Sequence, residues 1–527
     1  MKVLIIFISA LSVLSLCAAE KTFIYCSEGS PVAFNPQVTT DGTSSNASSY
    51  TLYNRLVDFK EGTTEIIPSL AQSYEISKDK KSYVFMLRKG IKFHTTNYFT
   101  PSRDLNSDDV IFSFNRQMDK TNPFHLVGGG IYEYFQSMEM EKLIKSVEKM
   151  DPHTVKITLF KPNAAFLANL AMPFMSILSL EYAEKLIKEK NKDEIDQSPV
   201  GTGPFIFVNY AKDNLIRFKA NPLYFEGAPK IKQLVFSITP DANVRYQKLK
   251  TGECHFIIEP SPSDLPNMKT DKKITVMEGP GLNIAYLALN TSKPPFDNLN
   301  VRLAINHALN KDAYIKAIYL GNATPAKNPI PPTIWSYNKK IKDYDYNPKT
   351  AKELLKKAGF PNGFDTEIWT LPITRPYNPN GKKMGEMMQA DLAKVGIKAR
   401  LITYDWGTYL SKANKGEHQM IQMGWTGDNG DPDNFLNVLL SCPSVTTGSN
   451  YSRWCNKEFN DLIQKATLTT QKKGRIKLYE KAQEVFKKEA PWVTLAHSTV
   501  FRAMSSSVKG YIISPLGHDV FTNVSME

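Results

Sequence analysis

The chain has 527 residues, more than one hydrophobic core fills, so two or three lobes are expected and a small stapled scaffold is excluded. Hydrophobic residues at 42% and charged residues at 22% are ordinary globular values, which excludes a largely disordered chain. The formal net charge of +13 is spread over many Lys-rich helical stretches without a basic block, so it points to a solvated basic surface and not to nucleic acid.

The start reads as a secretory signal over residues 1–19: Lys2, an apolar run from Val3 to Leu16, then Cys17, Ala18 and Ala19, with cleavage after Ala19. The run is short for a bilayer span. Leu14 to Cys17 also resembles a lipoprotein box, but Leu16 stands where that box takes a small residue, so lipid on Cys17 is the lesser reading. No later segment is apolar for long enough to cross a membrane, and the mature chain is expected to be soluble outside the cytoplasm. Four cysteines then remain, Cys26, Cys254, Cys442 and Cys455. An even number in an oxidising compartment suggests two disulfides with three possible connectivities. Short spacing favours Cys442 with Cys455, which leaves Cys26 with Cys254; the absence of a close C-x-x-C pair disfavours zinc.

In chain order, Thr22 to Tyr25 is strand-like, and Asp41 to Ser49 reads as a small-residue loop. Tyr83 to Leu87 reads as a strand, and Asn106 to Asp109 as a helix start. Strands are expected again at Val155–Leu159, Phe205–Val208 and Leu234–Ile238, with a helix from Ala242 to Leu249 closed by Gly252. From Asn347 to Pro361 apolar residues fall at helical spacing, with Pro348 near the start and Gly359 at the end. Met384, Met388, Leu392 and Val395 line a second helical face; Ile397, Ala399 and Leu401 alternate as a strand. A helix around Trp406 and Tyr409 leads to the apolar run Met420–Met423. This alternation predicts an α/β lobe with a largely parallel sheet. Two more helices, carrying Leu462 and Ile463 and then Ile476 and Tyr479, precede a strand from Trp492 to Ala496.

The polar segment Gly424 to Phe435 follows the run at Met423, as a loop at the carboxyl end of a sheet strand, where α/β folds place ligands. Asp428 would stand there as a fixed negative charge. The competing reading is a plain turn, since Asp, Asn, Gly and Pro all favour turns. A calcium loop fails because Gly430 occupies a ligand position. The chain has no G-x-S-x-G, H-E-x-x-H, phosphate loop or dinucleotide loop, so an enzyme is not indicated, and its eight histidines lack helical i, i+4 pairing. No cofactor and no metal site are expected.

Several long segments, Tyr25–Pro31, Leu105–Val110, Gly201–Phe205, Ser237–Ala242, Arg375–Pro379, Gly424–Phe435 and Ser449–Cys455, resemble the family-5 extracellular solute-binding proteins of bacterial peptide importers. The resemblance covers essentially the whole mature chain. It implies an α/β, two-lobed periplasmic-binding-protein fold (type II) with an inserted domain. The domains it implies are residues 20–52, 203–280 and 499–527 for the first lobe, 53–202 for the insert and 281–498 for the second lobe. It implies a periplasmic receptor that closes on a dipeptide and delivers it to an inner-membrane ABC permease, acting as a monomer, with a chemoreceptor as a further partner. The positions it assigns to ligand are Thr40, Arg375, Pro376, Tyr377, Trp425, Thr426, Gly427 and Asp428. Asp428 would take the ammonium and Arg375 the carboxylate. It agrees with the pairs Cys26–Cys254 and Cys442–Cys455. Haem, glutathione or another small peptide is the alternative cargo, the departure at Leu16 setting the chain apart from lipidated relatives that bind them. A secreted peptidase, the alternative from another class, would need a nucleophile or metal that the sequence does not display.

Overall fold

The computed structural model describes residues 22–447 and 449–527; the signal reading and Cys17 lie outside the described residues. The strand Thr22–Ser27 sits in the middle of the first lobe's sheet, parallel to both Gln233–Ile238 and Phe256–Ile258. Its alternating Phe23 and Tyr25 are fully buried, and Tyr25 meets Phe236 edge to face at 4.6 Å. Outward from Gln233–Ile238 the sheet continues antiparallel through Leu215–Ala220 and Phe205–Ala211.

The second lobe's sheet is mixed, not largely parallel. Asp365–Trp369 runs parallel to Lys398–Ile402 and to Met420–Thr426, as the helix–strand alternation requires. Asn283–Leu289, however, runs antiparallel to Met420–Thr426 and to the late strand Trp492–Ser505. It enters from the first lobe, straight out of the strand Ile274–Pro280, so its direction is set by that crossing and not by a helical return.

Trp492–Ser505 is 14 residues long, well beyond the predicted Trp492–Ala496. Its first part pairs with Ala285–Ala288 in the second lobe, and its last part with Ile274–Pro280 and Phe256–Ile258 in the first. One strand therefore belongs to both sheets, and the passage from Pro280 to Asn283 makes a second crossing beside it. Stacked rings of Tyr286 and Trp492, 3.7 Å apart, pack the second-lobe side of the crossing.

The third unit is a four-stranded antiparallel sheet in the order Ala71–Ile76, Ser82–Leu87, Thr154–Leu159, Ile144–Asp151. Its helix Ser107–Met118 begins at Asn106, whose side chain and that of Asp109 satisfy each other's backbone N–H groups. The buried Arg116 binds Asp196 at 2.8 Å, and the Asn35 amide donates to the same carboxylate at 2.6 Å, which ties this unit to the first lobe.

Asp41–Ser49 is not a loop: Gly42–Ala47 is a short helix, with the Asp41 carboxylate accepting from the Ser44 N–H at 2.9 Å. Both cysteine pairs are joined, Cys26 to Cys254 and Cys442 to Cys455, with Cα separations of 5.9 and 4.6 Å. Among the described residues no helix is long and apolar enough to cross a membrane.

Candidate functional site

The strand Met420–Thr426 delivers a charged loop to the space between the lobes. Within it Gly424 is required by packing: a Cβ there would lie 2.2 Å from the Tyr377 ring, which covers the strand. The Gly427 N–H donates to the Leu282 carbonyl at 2.6 Å, holding the loop against the crossing segment. Asn434 braces the next residue. Its side-chain oxygen accepts from the Asp428 N–H at 2.8 Å and from Trp425 Nε1 at 3.1 Å, while its amide donates to Asp428 Oδ2 at 3.1 Å.

Across from this loop, Arg375 is held by a tight turn in which its N–H and carbonyl exchange bonds with Asn378 at 3.1 and 3.0 Å. The Pro376 carbonyl accepts from Ser498 Oγ, and the Tyr377 carbonyl from Tyr319 Oη at 2.7 Å. Arg375 is only 8% exposed; its guanidinium lies 4.6 Å from the Trp406 ring centroid, and Nη1 lies 3.8 Å from Glu28 Oε1.

These groups surround one cavity of about 150 Å³. Its lining comes from five stretches of the chain, residues 28–50, 134–173, 258–259, 375–451 and 516–518. Of the sequence-predicted residues, Thr40, Arg375, Pro376, Tyr377, Trp425, Thr426 and Asp428 all line it. Gly427 does not; it stands behind the wall, against the Phe435 ring. The Thr40 hydroxyl turns to Glu133 Oε2 at 3.4 Å, and Ser449 Oγ donates to Glu133 Oε1 at 2.6 Å. Glu28, Tyr134, Glu259 and Trp406 were not singled out from sequence. The order Ile257, Ile258, Glu259, an acid closing an apolar strand, was the available signal for one of them.

The two ends of the cavity differ in charge. At the loop end, burial pushes the Asp428 carboxyl up to about 7, against hydrogen bonds from Tyr134 and Asn434 that favour its ionised form. The fixed charge expected there is thus a titrating one near neutrality. At the other end Arg375 brings a positive charge, with Glu28 and Glu259 beside it. Burial, and then the neighbouring Glu28, push Glu259 up to about 7 as well. Among the described residues no group of His, Cys, Asp and Glu is arranged to hold a metal ion.

A crevice between two lobes that share a strand, with Arg375 toward one end and Asp428 toward the other, is the architecture of a solute-binding protein. Residues 65–447 match the family described as bacterial extracellular solute-binding proteins, family 5 Middle, and the chain belongs to that family. It is 54% identical over 507 residues to the dipeptide-binding protein of Escherichia coli K12, covering 96% of this chain and 95% of that one. It is 50% identical over 510 residues to heme-binding protein A of Haemophilus influenzae, covering 97% and 93%. The crystal structure of the dipeptide binding protein of Pseudoalteromonas sp. SM9913 in complex with Met-Leu superposes with a TM-score of 0.94 at 41% identity, covering 96% of this chain and all of that one.

Proposed function

We propose that this chain is a periplasmic receptor that captures dipeptides between its lobes and hands them to an inner-membrane ABC permease. The observation that carries the reading is that Arg375 and Asp428, a cation and an acid on separate segments, line one cavity. Every dipeptide has an ammonium and a carboxylate separated by a nearly fixed backbone length, so two opposite charges recognise the class whatever the side chains are. Arg375 takes the carboxylate and Asp428 the ammonium; Thr40, Pro376, Tyr377, Trp425 and Thr426 shape the space between, with Gly427 behind them. In this reading residues 20–52, 203–280 and 499–527 form the first lobe, 281–498 the second and 53–202 the insert.

Closure follows from the same placement, because Thr40 and Glu28 belong to the first lobe while Arg375 and Asp428 belong to the second. The test is native mass spectrometry of the purified protein, then calorimetric titration with dipeptides, with small-angle scattering on the same samples. Saturable binding with compaction is expected; no binding of any dipeptide, or release of free amino acids from them, refutes the reading.

Haem is the second reading, supported by the relative from Haemophilus influenzae. His518, which lines the cavity, is stacked on Tyr50 at 3.8 Å. Titration with haem and with glutathione beside the dipeptides separates these cargoes.

A further inference from the structure

Beside Arg375 the cavity holds more negative charge than recognition of a carboxylate calls for. The Glu28 side chain is 8% exposed, and its Oε1 accepts from the Thr43 hydroxyl and faces Arg375, while its Oε2 is buried with no partner. Glu259 Oε2 is buried and unpartnered too. The Glu259 backbone sits at φ 47°, a left-handed conformation that a non-glycine residue adopts at a cost and that recurs at ligand sites.

The nearby cations do not use up this charge. Arg502 is neutralised by Asp519 at 2.7 Å. Arg245 spends its guanidinium on the carbonyls of Thr239, Pro240, Ile258 and Glu259. A peptide carboxylate arriving at Arg375 therefore adds a third carboxylate to Glu28 and Glu259, against the guanidiniums of Arg375 and Arg245. Either a proton or a second cation must enter with it. A smaller chamber of about 40 Å³ opens behind, sharing Glu259, Arg375 and Pro376 with the main cavity and walled by Pro260, Pro379 and Phe501. Such walls suit the methylene stem of a long side chain whose charged end reaches a carboxylate.

We infer that Glu28 and Glu259 form a subsite for a cationic side chain on the second residue of the bound peptide, selecting dipeptides that end in lysine or arginine. This rests on the proposed orientation, with the peptide carboxylate at Arg375. The side chain of the last residue leaves the chain one atom from that carboxylate, so it is the side chain that can reach the acidic pair.

The test compares Ala-Lys with Ala-norleucine, which keeps the stem and lacks the ammonium, by calorimetry on the unmodified protein. Ala-Lys is expected to bind about tenfold to a hundredfold more tightly, as charge-assisted bonds to a buried carboxylate do. The ratio is expected to fall toward one in Glu259→Gln and in Glu28→Gln. It is expected to rise from pH 6 to pH 8 as the proton that otherwise balances Glu259 is lost; the groups facing Glu259 are Glu28, Arg375, Arg245 and Arg502. Equal affinity of the two ligands for the unmodified protein overturns the subsite while leaving dipeptide capture standing, and needs no variant to fold. A ratio that persists in both variants overturns it equally. If neither ligand binds, dipeptide capture fails and the subsite with it.

Discussion

Replacing Asp428 by asparagine isolates the ammonium end of the cavity. The bracing by Asn434 survives in part, since its side-chain oxygen still accepts from the residue 428 N–H and from Trp425 Nε1, so the loop keeps its shape. What is lost is the charge. Burial has raised the carboxyl from 3.8 to about 7. That shift, about 3 units, equals at most ~4 kcal/mol of unfavourable ionisation that an arriving ammonium can recover. Asp428 still faces the cavity, so about half of that, ~2 kcal/mol, is the realistic share, roughly thirtyfold in affinity. A stranded ligand ammonium adds to the loss, and a hundredfold weakening of Ala-Ala is expected, about 2.7 kcal/mol. N-acetyl-Ala-Ala, which has no ammonium, should bind unmodified protein and Asp428→Asn alike. Calorimetry of both ligands on both proteins gives the coupling directly.

The pH dependence has a definite sign. A bound ammonium lowers the Asp428 pKa, so the ratio of Ala-Ala to N-acetyl-Ala-Ala affinity is full above 7 and falls about tenfold per pH unit below it. Taking the ratio cancels the carboxylate end, where Glu259 titrates. A ratio that is flat from pH 8 to pH 5, or N-acetyl-Ala-Ala binding as tightly as Ala-Ala, refutes the assignment of Asp428.

Arg375→Ala should weaken dipeptides by about a hundredfold or more and amidated dipeptides far less, measured by the same calorimetry; equal losses would mean that Arg375 acts only through packing on Trp406. Gly424→Ala should weaken binding without abolishing folding, because its Cβ must displace the Tyr377 ring from 2.2 Å; a melting temperature and affinity both unchanged would contradict the packing described. His94, His418 and His497 are held neutral by burial, with pKa near 4 against an ordinary 6.5. The unfolded chain therefore binds more protons between those values, and the stability lent by these residues is lost as pH falls from 6.5 to 4. Denaturant melts of His418→Gln should show a smaller loss over that window, and an unchanged slope would count against it. Reduction should lower stability by about 3 kcal/mol through the short Cys442–Cys455 loop while leaving affinity within a fewfold, since neither pair touches the cavity; a large affinity loss in reduced but folded protein would argue otherwise.

Elements with local punctuation were legible in the sequence. Asn347 accepts from Thr350 N–H ahead of Pro348–Lys357, and Gly252 ends Ala242–Thr251 in a left-handed conformation at φ 80°. The helix Gly42–Ala47 was not legible, because its buried face is made of Thr43, Ser44, Ser45, Asn46 and Ala47, and no apolar period marks it. Trp492–Ser505 was cut short for a similar reason. His497 and Ser498 look like the end of a strand, yet both are buried and bonded to Asn283, His497 Nδ1 to its carbonyl at 2.7 Å and the Ser498 N–H to its side chain at 2.8 Å. The mixed second sheet depends on a pairing between segments more than a hundred residues apart, which no local pattern carries. In the cavity, the Gly424–Phe435 loop and Asp428 were legible as a polar segment closing an apolar strand, whereas the Arg375 segment was reached through resemblance. Glu28, Tyr134, Glu259 and Trp406 come from separate elements and meet only when the chain folds.

The strand Trp492–Ser505 gives the two lobes a common spine, and a consequence concerns how the protein melts. Neither sheet can lose this strand without opening an edge in the other, and residues 274–289 couple them a second time. Heat should then find one cooperative unit across the lobes where their sequence lengths alone suggest two, and a ligand in the cleft should raise that single transition as a whole, carrying stabilisation from the wall it touches to strands it never meets.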